Sequence, residues 1–330
     1  MSYNTRDCRA NRGIAIGHGR SVVENGAPRQ PLGLVAELTH RCPLGCPYCS
    51  NPLTLESRDG ELDAATWARV FREAAALGVD HVHLSGGEPG ARRDLVDIAA
   101  HAREAGLHTT LITSGFGIAA RTMRDLWEAG LDHVQVSFQD SDAVSADRIA
   151  GQRGAFQRKH ALAAEAVRIG LPLTVSFVVH RANIERISAM VDLALGLRAA
   201  RVEFAHVQYD GWALKNRAAL APTADQVLRA TADVERLRRE HQGRITVDTA
   251  APAGPAEFIV TPSGRVLPNP AADSIPGLEF WNVRDRSLAD IRAHSPAFSV
   301  FRDPGFPTPP PRTAGFAAAQ EDAAYVHRSM

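Results

Sequence analysis

The stretch that decides the reading of this chain runs from Gly33 to Cys49: GLVAELT (33–39), His40-Arg41, then Cys42-Pro43-Leu44-Gly45-Cys46-Pro47-Tyr48-Cys49. It joins a short β-rich run to a loop that holds three of the four cysteines. Outward from it the same alternation repeats. The β-rich runs HVHLSG (81–86), HTTLITS (108–114), HVQVSF (133–138), LTVSFVV (173–179) and RVEFAHV (201–207) alternate with Ala/Leu/Arg stretches of helical period. Those stretches lie near 63–77, 92–105, 119–129, 155–169 and 184–198, with another near 223–241. Asp63, Thr66 and Thr223 stand at or near helix starts, and Gly78, Gly106, Gly130 and Gly170 at helix ends. Six β/α units in series predict an α/β fold with a parallel sheet and right-handed crossovers. Six are too few for the closed eight-stranded barrel. The expectation is a partial, six-stranded (β/α)6 barrel over residues 32–243. Such sheets take ligands at the C-terminal ends of their strands, where the cysteine loop lies.

Beyond residue 243 the pattern changes. RITVDT (244–249) reads as one last strand, and EFIVTPSGRVLP (257–268) as a hairpin turning at Pro262-Ser263-Gly264. Residues 244–302 make a small C-terminal extension. The polar, Gly-rich segment 1–31 reads as a mobile arm, and the Pro- then Ala-rich segment 303–330 as a poorly ordered tail.

Composition narrows the function classes. The chain has 330 residues, 45 % hydrophobic and 22 % charged, enough for a substantial core. Lys plus Arg equals Asp plus Glu at 37 each, so no net basic field gathers nucleic acid. No apolar run approaches the ~18 residues of a membrane span, and the N-terminus has no secretory pattern. The expected compartment is the cytoplasm, where thiols stay reduced.

The C-x3-C-x2-C spacing offers three thiolates to a [4Fe–4S] cluster, whose irons are held by cysteine. The fourth iron then stays open to a molecule that brings its own amine and carboxylate. S-adenosylmethionine is such a molecule and carries radical chemistry that side chains lack. The same spacing also suits zinc, with His40 or Cys8 as a fourth ligand, or three unliganded thiols. A disulfide framework fits poorly in a chain this long with four cysteines. One unit downstream stands Leu84-Ser85-Gly86-Gly87-Glu88-Pro89. Gly86 and Gly87 let a backbone pass close to a ligand, Glu88 presents a carboxylate to an ammonium, and Pro89 stiffens the turn. By itself the run is an ordinary βα turn with a solvated Glu. Tyr209 and Trp212 read as either the substrate mouth or core. His81, His108 and His133 read as packing or rim residues, Cys8 as a free thiol, and Arg229–Arg244 as a solvated helix face.

The cysteine loop after the first strand, GGEP after the second, and Tyr48 before the third cysteine together resemble the radical S-adenosylmethionine enzymes. AELTHRCPLGCPYCSNPL, LSGGEPGARRDL, LITSG and VQYDGWALKNRAAL are similar to their PqqA peptide cyclase family, over about Leu32 to Phe301. The resemblance implies Cys42, Cys46 and Cys49 as ligands of one [4Fe–4S] cluster. It implies Gly86, Gly87, Glu88 and Pro89 as the grip on the methionine amine of S-adenosylmethionine, with Tyr48, Ser114, Ser137 and Gln139 as further cofactor contacts. The activity implied is oxidoreductase chemistry in pyrroloquinoline quinone biosynthesis. A Glu–Tyr carbon–carbon link forms in a ribosomally made precursor peptide, presented by a PqqD-like chaperone, with an external electron donor. That family carries a cysteine-rich SPASM-type domain for auxiliary clusters. Here Asn269 and Pro270 stand in place of a cysteine, VDTAAPAGPAEF (247–258) is short, and no cysteine follows Cys49. The expectation is a degenerate SPASM-like extension, one cluster, and cofactor cleavage with little or no cyclised product. A diverged paralogue acting on another substrate, or a non-catalytic peptide-binding protein, is the second function class.

Overall fold

The computed structural model describes residues 23–24, 27–28, 32–55, 57–249, 256–275 and 277–302. Cys8, nearly all of the expected arm and the whole expected tail lie outside the described residues. The chain divides into residues 1–31 and 32–330. In the first unit β1 (Val23–Glu24) pairs antiparallel with β2 (Ala27–Pro28).

The second unit is built on one sheet. Its strands are β3 (Leu32–Glu37), β4 (Val79–Ser85), β5 (His108–Thr113), β6 (His133–Phe138), β7 (Leu173–Val179), β8 (Arg201–His206), β9 (Thr246–Thr249), β10 (Ala256–Val260) and β11 (Val266–Leu267). The order is β11-β10-β3-β4-β5-β6-β7-β8-β9. Strands β3 to β9 run parallel in chain order, as the six expected units and the expected last strand require. The hairpin turns where the sequence places it, but it does not stand apart from the sheet. Its first strand, β10, runs parallel to β3 and covers that strand's otherwise open edge, and β11 pairs antiparallel outside it. An uncovered parallel edge presents unpaired backbone groups, and the apolar Phe258–Val260 run closes this one.

The helices are α1 (Ala64–Ala76), α2 (Leu95–Glu104), α3 (Ala120–Glu128), α4 (Ala143–Ala150), α5 (Ala155–Arg168), α6 (Ile187–Gly196), α7 (Gly211–Lys215), α8 (Arg217–Leu220), α9 (Ala224–Glu240), α10 (Leu288–His294) and α11 (Pro296–Arg302). The six expected ones are present. Thr66 is not itself a cap: its N–H donates to the Asp63 carboxylate at 2.8 Å, which caps α1. Thr223 and Gln226 form a reciprocal capping box on α9. The sequence reading missed α4, α7, α8, α10 and α11, which run from four to eight residues. Segments that short show too little helical period to be read.

Strand residues alternate between two environments. Val82, Leu84, Val134, Val136, Phe177 and Phe204 are buried in the main apolar core. The alternate positions hold His83, Gln135, Ser137, Ser176 and Glu203. Burial pushes the His83 and His133 imidazoles down to about 4, with neighbouring histidines adding to the effect. His133 Nε2 lies 2.9 Å from Thr174 Oγ1, which agrees with a packing role. No helix among the described residues is long and apolar enough to cross a membrane.

A candidate cofactor site at the strand ends

The C-terminal ends of β3, β4, β5 and β6 bring the expected residues together. The cysteine loop follows β3 and is bound to the turn after β4 by backbone hydrogen bonds. Leu38 N donates to Ser85 O (2.9 Å), Gly87 N to Thr39 O (2.6 Å) and Glu88 N to Arg41 O (2.9 Å). This contact explains the two glycines. Gly86 has φ +127°, and a Cβ there would lie 2.4 Å from Thr39 O. A Cβ on Gly87 would lie 2.6 Å from both Arg41 O and His40 O. The sequence reading assigns this close approach to a ligand; in the structure it is made to the backbone that leads into Cys42.

Glu88 is fully buried, unlike the solvated Glu of an ordinary turn. Its Oε1 accepts from Gly90 N (2.8 Å) and Thr113 Oγ1 (2.6 Å). Its Oε2 accepts from Ser114 N (2.8 Å) and the Ser114 hydroxyl. The carboxylate therefore joins the β4 turn to the end of β5. Pro89 opens a one-turn 3-10 helix, Pro89–Ala91, and is buried.

A charged network that the sequence reading missed secures the other side of this junction. Arg41 Nε and Nη2 donate to the Glu61 carboxylate, each at 3.1 Å, and Nη1 to Ala91 O at 3.0 Å. Arg92 donates to Leu38 O (3.0 Å) and to both oxygens of Asp94 (2.9 and 2.6 Å). The Arg41–Glu61 partners lie 20 positions apart and the Arg92–Leu38 partners 54, so no local spacing marks them.

Cys42, Cys46 and Cys49 are free and half-buried. Burial raises all three thiols, Cys42 to about 11. Tyr48 lies between them with its hydroxyl held well above its usual range by burial, and its ring is 5.4 Å from that of His180. From the end of β6, Gln139 Nε2 donates to Cys46 Sγ at 3.7 Å. Its Oε1 accepts from Lys159 Nζ at 2.5 Å. Lys159 Nζ also donates to Ser137 O at 3.1 Å, so Ser137 takes part through its carbonyl. Burial lowers the Lys159 amine to about 8, which leaves it an ammonium at neutral pH.

Two of the missed helices support the loop. Gly45 N donates to Ala150 O at the end of α4 (2.8 Å). At α7, Ala213 N donates to Cys49 O (3.0 Å), and Asn216 Nδ2 to Pro47 O (3.0 Å). Gly211 lies so close that a Cβ would fall 1.9 Å from Asn51 O. Tyr209 packs against Val207 and Leu220, whereas Trp212 is 46 % exposed, so the two aromatics do not share one role.

Beside the loop is a cavity of about 380 Å³, bordered by Arg41, Cys42, Pro43, Glu88, Gly90 and Phe116. Among the described residues no three His, Cys, Asp or Glu side chains converge on one point that could hold a single ion. His40, the candidate fourth zinc ligand, has its Nε2 3.8 Å from Glu37 instead. Three thiols on one braced loop, open on one side to a cavity, fit a multi-iron cluster with one unclaimed iron better than a tetrahedral zinc.

Comparison with known proteins agrees with this geometry. The family model of the Radical SAM superfamily matches residues 36–194. Members of this superfamily pair a [4Fe–4S] cluster with S-adenosylmethionine. The PqqA peptide cyclase of Methylocella silvestris is 57 % identical over 285 residues, which cover 82 % of this chain and 76 % of that protein. That of Rhizobium meliloti is 48 % identical over 289 residues, with the same coverage of both chains. Among solved structures, Streptococcus suis SuiB bound to its precursor peptide SuiA matches with a TM-score of 0.71 at 20 % identity, over 83 % of this chain and 67 % of that one. At that identity the likeness concerns the fold, and it is the fold expected for a partial radical SAM barrel. The extent and identity of the curated matches place the chain in the PqqA peptide cyclase family of the radical SAM superfamily.

Proposed function

We propose that this radical SAM enzyme forms a Glu–Tyr carbon–carbon link in a precursor peptide of pyrroloquinoline quinone biosynthesis. The observation that carries the reading is the braced three-cysteine loop beside the Glu88 cavity, in a chain 57 % identical to a cyclase. Cys42, Cys46 and Cys49 hold the cluster. The Gly86-Gly87-Glu88-Pro89 turn holds the methionine end of the cofactor, with Tyr48, Ser114, Ser137 and Gln139 around it. An ammonium that reaches Glu88 must share an oxygen with Thr113 or Ser114, because both oxygens already accept two hydrogen bonds. When bound, the cluster and S-adenosylmethionine supply a 5′-deoxyadenosyl radical that takes a hydrogen atom from the substrate. The chain's own part is to hold the cofactors, exclude water beneath the loop, and fix the loop against the strand ends. A PqqD-like chaperone presents the peptide, an external donor supplies electrons, and the reaction takes place in the cytoplasm. Residues 244–302 act as a SPASM-like extension without auxiliary clusters.

The test is anaerobic reconstitution followed by assay. Loaded protein should hold about four irons per chain. With reductant, S-adenosylmethionine, a PqqA-type peptide and its chaperone, the peptide should become two hydrogens lighter, with a Glu–Tyr link located by fragmentation. The product assay also decides whether cyclisation proceeds on one cluster. Release of 5′-deoxyadenosine without peptide product would point to another substrate. Neither product from iron-loaded protein would favour a non-catalytic peptide-binding role, and about one zinc with no iron would overturn the cluster assignment.

A further inference from the structure

We infer that Lys159 is an electrostatic positioning residue for the cluster: a buried positive charge, relayed through Gln139 to Cys46, that raises the cluster's reduction potential. The inference rests on the three-thiolate reading above. Lys159 lies within α5, fourteen positions before the nearest strand, β7, and has no accessible surface. A lysine there needs a reason, because removing an ammonium from water is costly unless it is paired. Its two hydrogen-bond acceptors are neutral: the Ser137 carbonyl and the Gln139 amide oxygen. Neither cancels the charge. The acidic groups that act on it are Cys46, Glu88, Cys42 and Asp147, of which three border the cofactor site. Gln139 is held at backbone and side chain: Asn183 Nδ2 donates to its backbone carbonyl at 2.9 Å, and Lys159 fixes its side-chain oxygen. The amide nitrogen is thereby turned toward Cys46 Sγ. A hydrogen bond to a cluster sulfur and a nearby positive charge both favour the more negative, reduced cluster, since such contacts are among the factors that set cluster potentials. Reduction of the cluster is a one-electron step that the external donor must drive, so a higher potential eases it.

Lys159→Met keeps the length of the side chain and removes the charge. In fully loaded Lys159→Met protein, redox titration followed by electron paramagnetic resonance should give a lower midpoint potential. The expected shift is about tenfold in the reduced-to-oxidised ratio at a given potential, which is about 59 mV for a one-electron couple. Gln139→Glu places an acid directly on Lys159 and should lower the potential in the same direction. Lys159→Arg retains the charge and should stay near wild type. A structural role alone would alter melting temperature or iron content but leave the potential of loaded protein in place. If Lys159→Met fails to hold iron, Lys159→Gln, neutral and still able to hydrogen-bond, decides the question. Unchanged potentials in loaded neutralised variants overturn the inference while leaving the cluster reading intact. Wild-type protein that takes up no iron overturns both.

Discussion

Glu88 has a structural part to play beside its proposed one. The sequence reading gives it an ammonium to grip; the fold gives it four donors on two oxygens. Removing a buried acceptor strands its donors, at ~1–3 kcal/mol for each group left unpaired. Glu88→Ala should therefore lower unfolding free energy by roughly 3 kcal/mol as well as weaken S-adenosylmethionine at least tenfold. Denaturant titration and calorimetry on loaded protein measure the two effects. An unchanged denaturation midpoint would show that the four bonds do not contribute. Gly87→Ala tests the neighbouring contact. Its Cβ meets the carbonyls of His40 and Arg41 at 2.6 Å, and those are backbone atoms with little room to yield. Iron uptake should fall severalfold while the far-ultraviolet circular dichroism stays that of the folded sheet. Normal uptake would mean that the loop tolerates displacement.

At the scale of elements, the segment after β7 fixes the end of β6. Arg186, at the start of α6, forms a bidentate pair with Asp140, whose side chain has no accessible surface. Asn183 binds the carbonyls of Gln139 and Val178 at 2.9 and 3.0 Å. The loop that carries Gln139 toward Cys46 is thus built by residues more than 40 positions away. Removing the half-exposed arginine leaves the fully buried Asp140 carboxylate uncompensated, so Arg186→Ala should cost ~3 kcal/mol. Its melting curve should show the loss, and the Asp140→Asn, Arg186→Ala double variant should recover part of it. No recovery would mean that the arginine acts through packing alone. On the other flank, Gly211→Ala drives a Cβ into Asn51 O and should detach α7 from the cysteine loop. Faster cluster loss in air, with an unchanged melting temperature, is the expected pair of results.

For the whole molecule, the buried histidines predict an acid limit. His83, His133 and His180 are each lowered from 6.5 to about 4, with burial as the main cause. The fold favours their neutral forms. Their contribution is fully present above pH 6.5 and is lost as pH falls toward 4. Urea midpoints for the iron-free protein should be flat from pH 8 to 7 and decline between pH 6.5 and 4. His133→Gln should flatten that decline, since glutamine carries no proton equilibrium and can still reach Thr174. An equal decline in the variant would assign the acid sensitivity elsewhere.

The sequence alone determined the alternation of six strands and six long helices, the place of the cysteine loop at the strand ends, and the residues drawn around it. Those features are local: periods of two and 3.6, cap residues, and a fixed Cys spacing need no distant partner. The tertiary structure decided what depends on distant segments meeting. It set β10 on the free edge of β3, turned the paired glycines toward the Thr39–Arg41 backbone, and enclosed Glu88 among donors from β5. It also brought Lys159 beneath Gln139 and braced the loop with α4 and α7, helices too short for period to reveal. Burial and hydrogen bonding between segments far apart in sequence leave no spacing to read, so charge, exposure and the work of each polar group emerge only when the chain has folded.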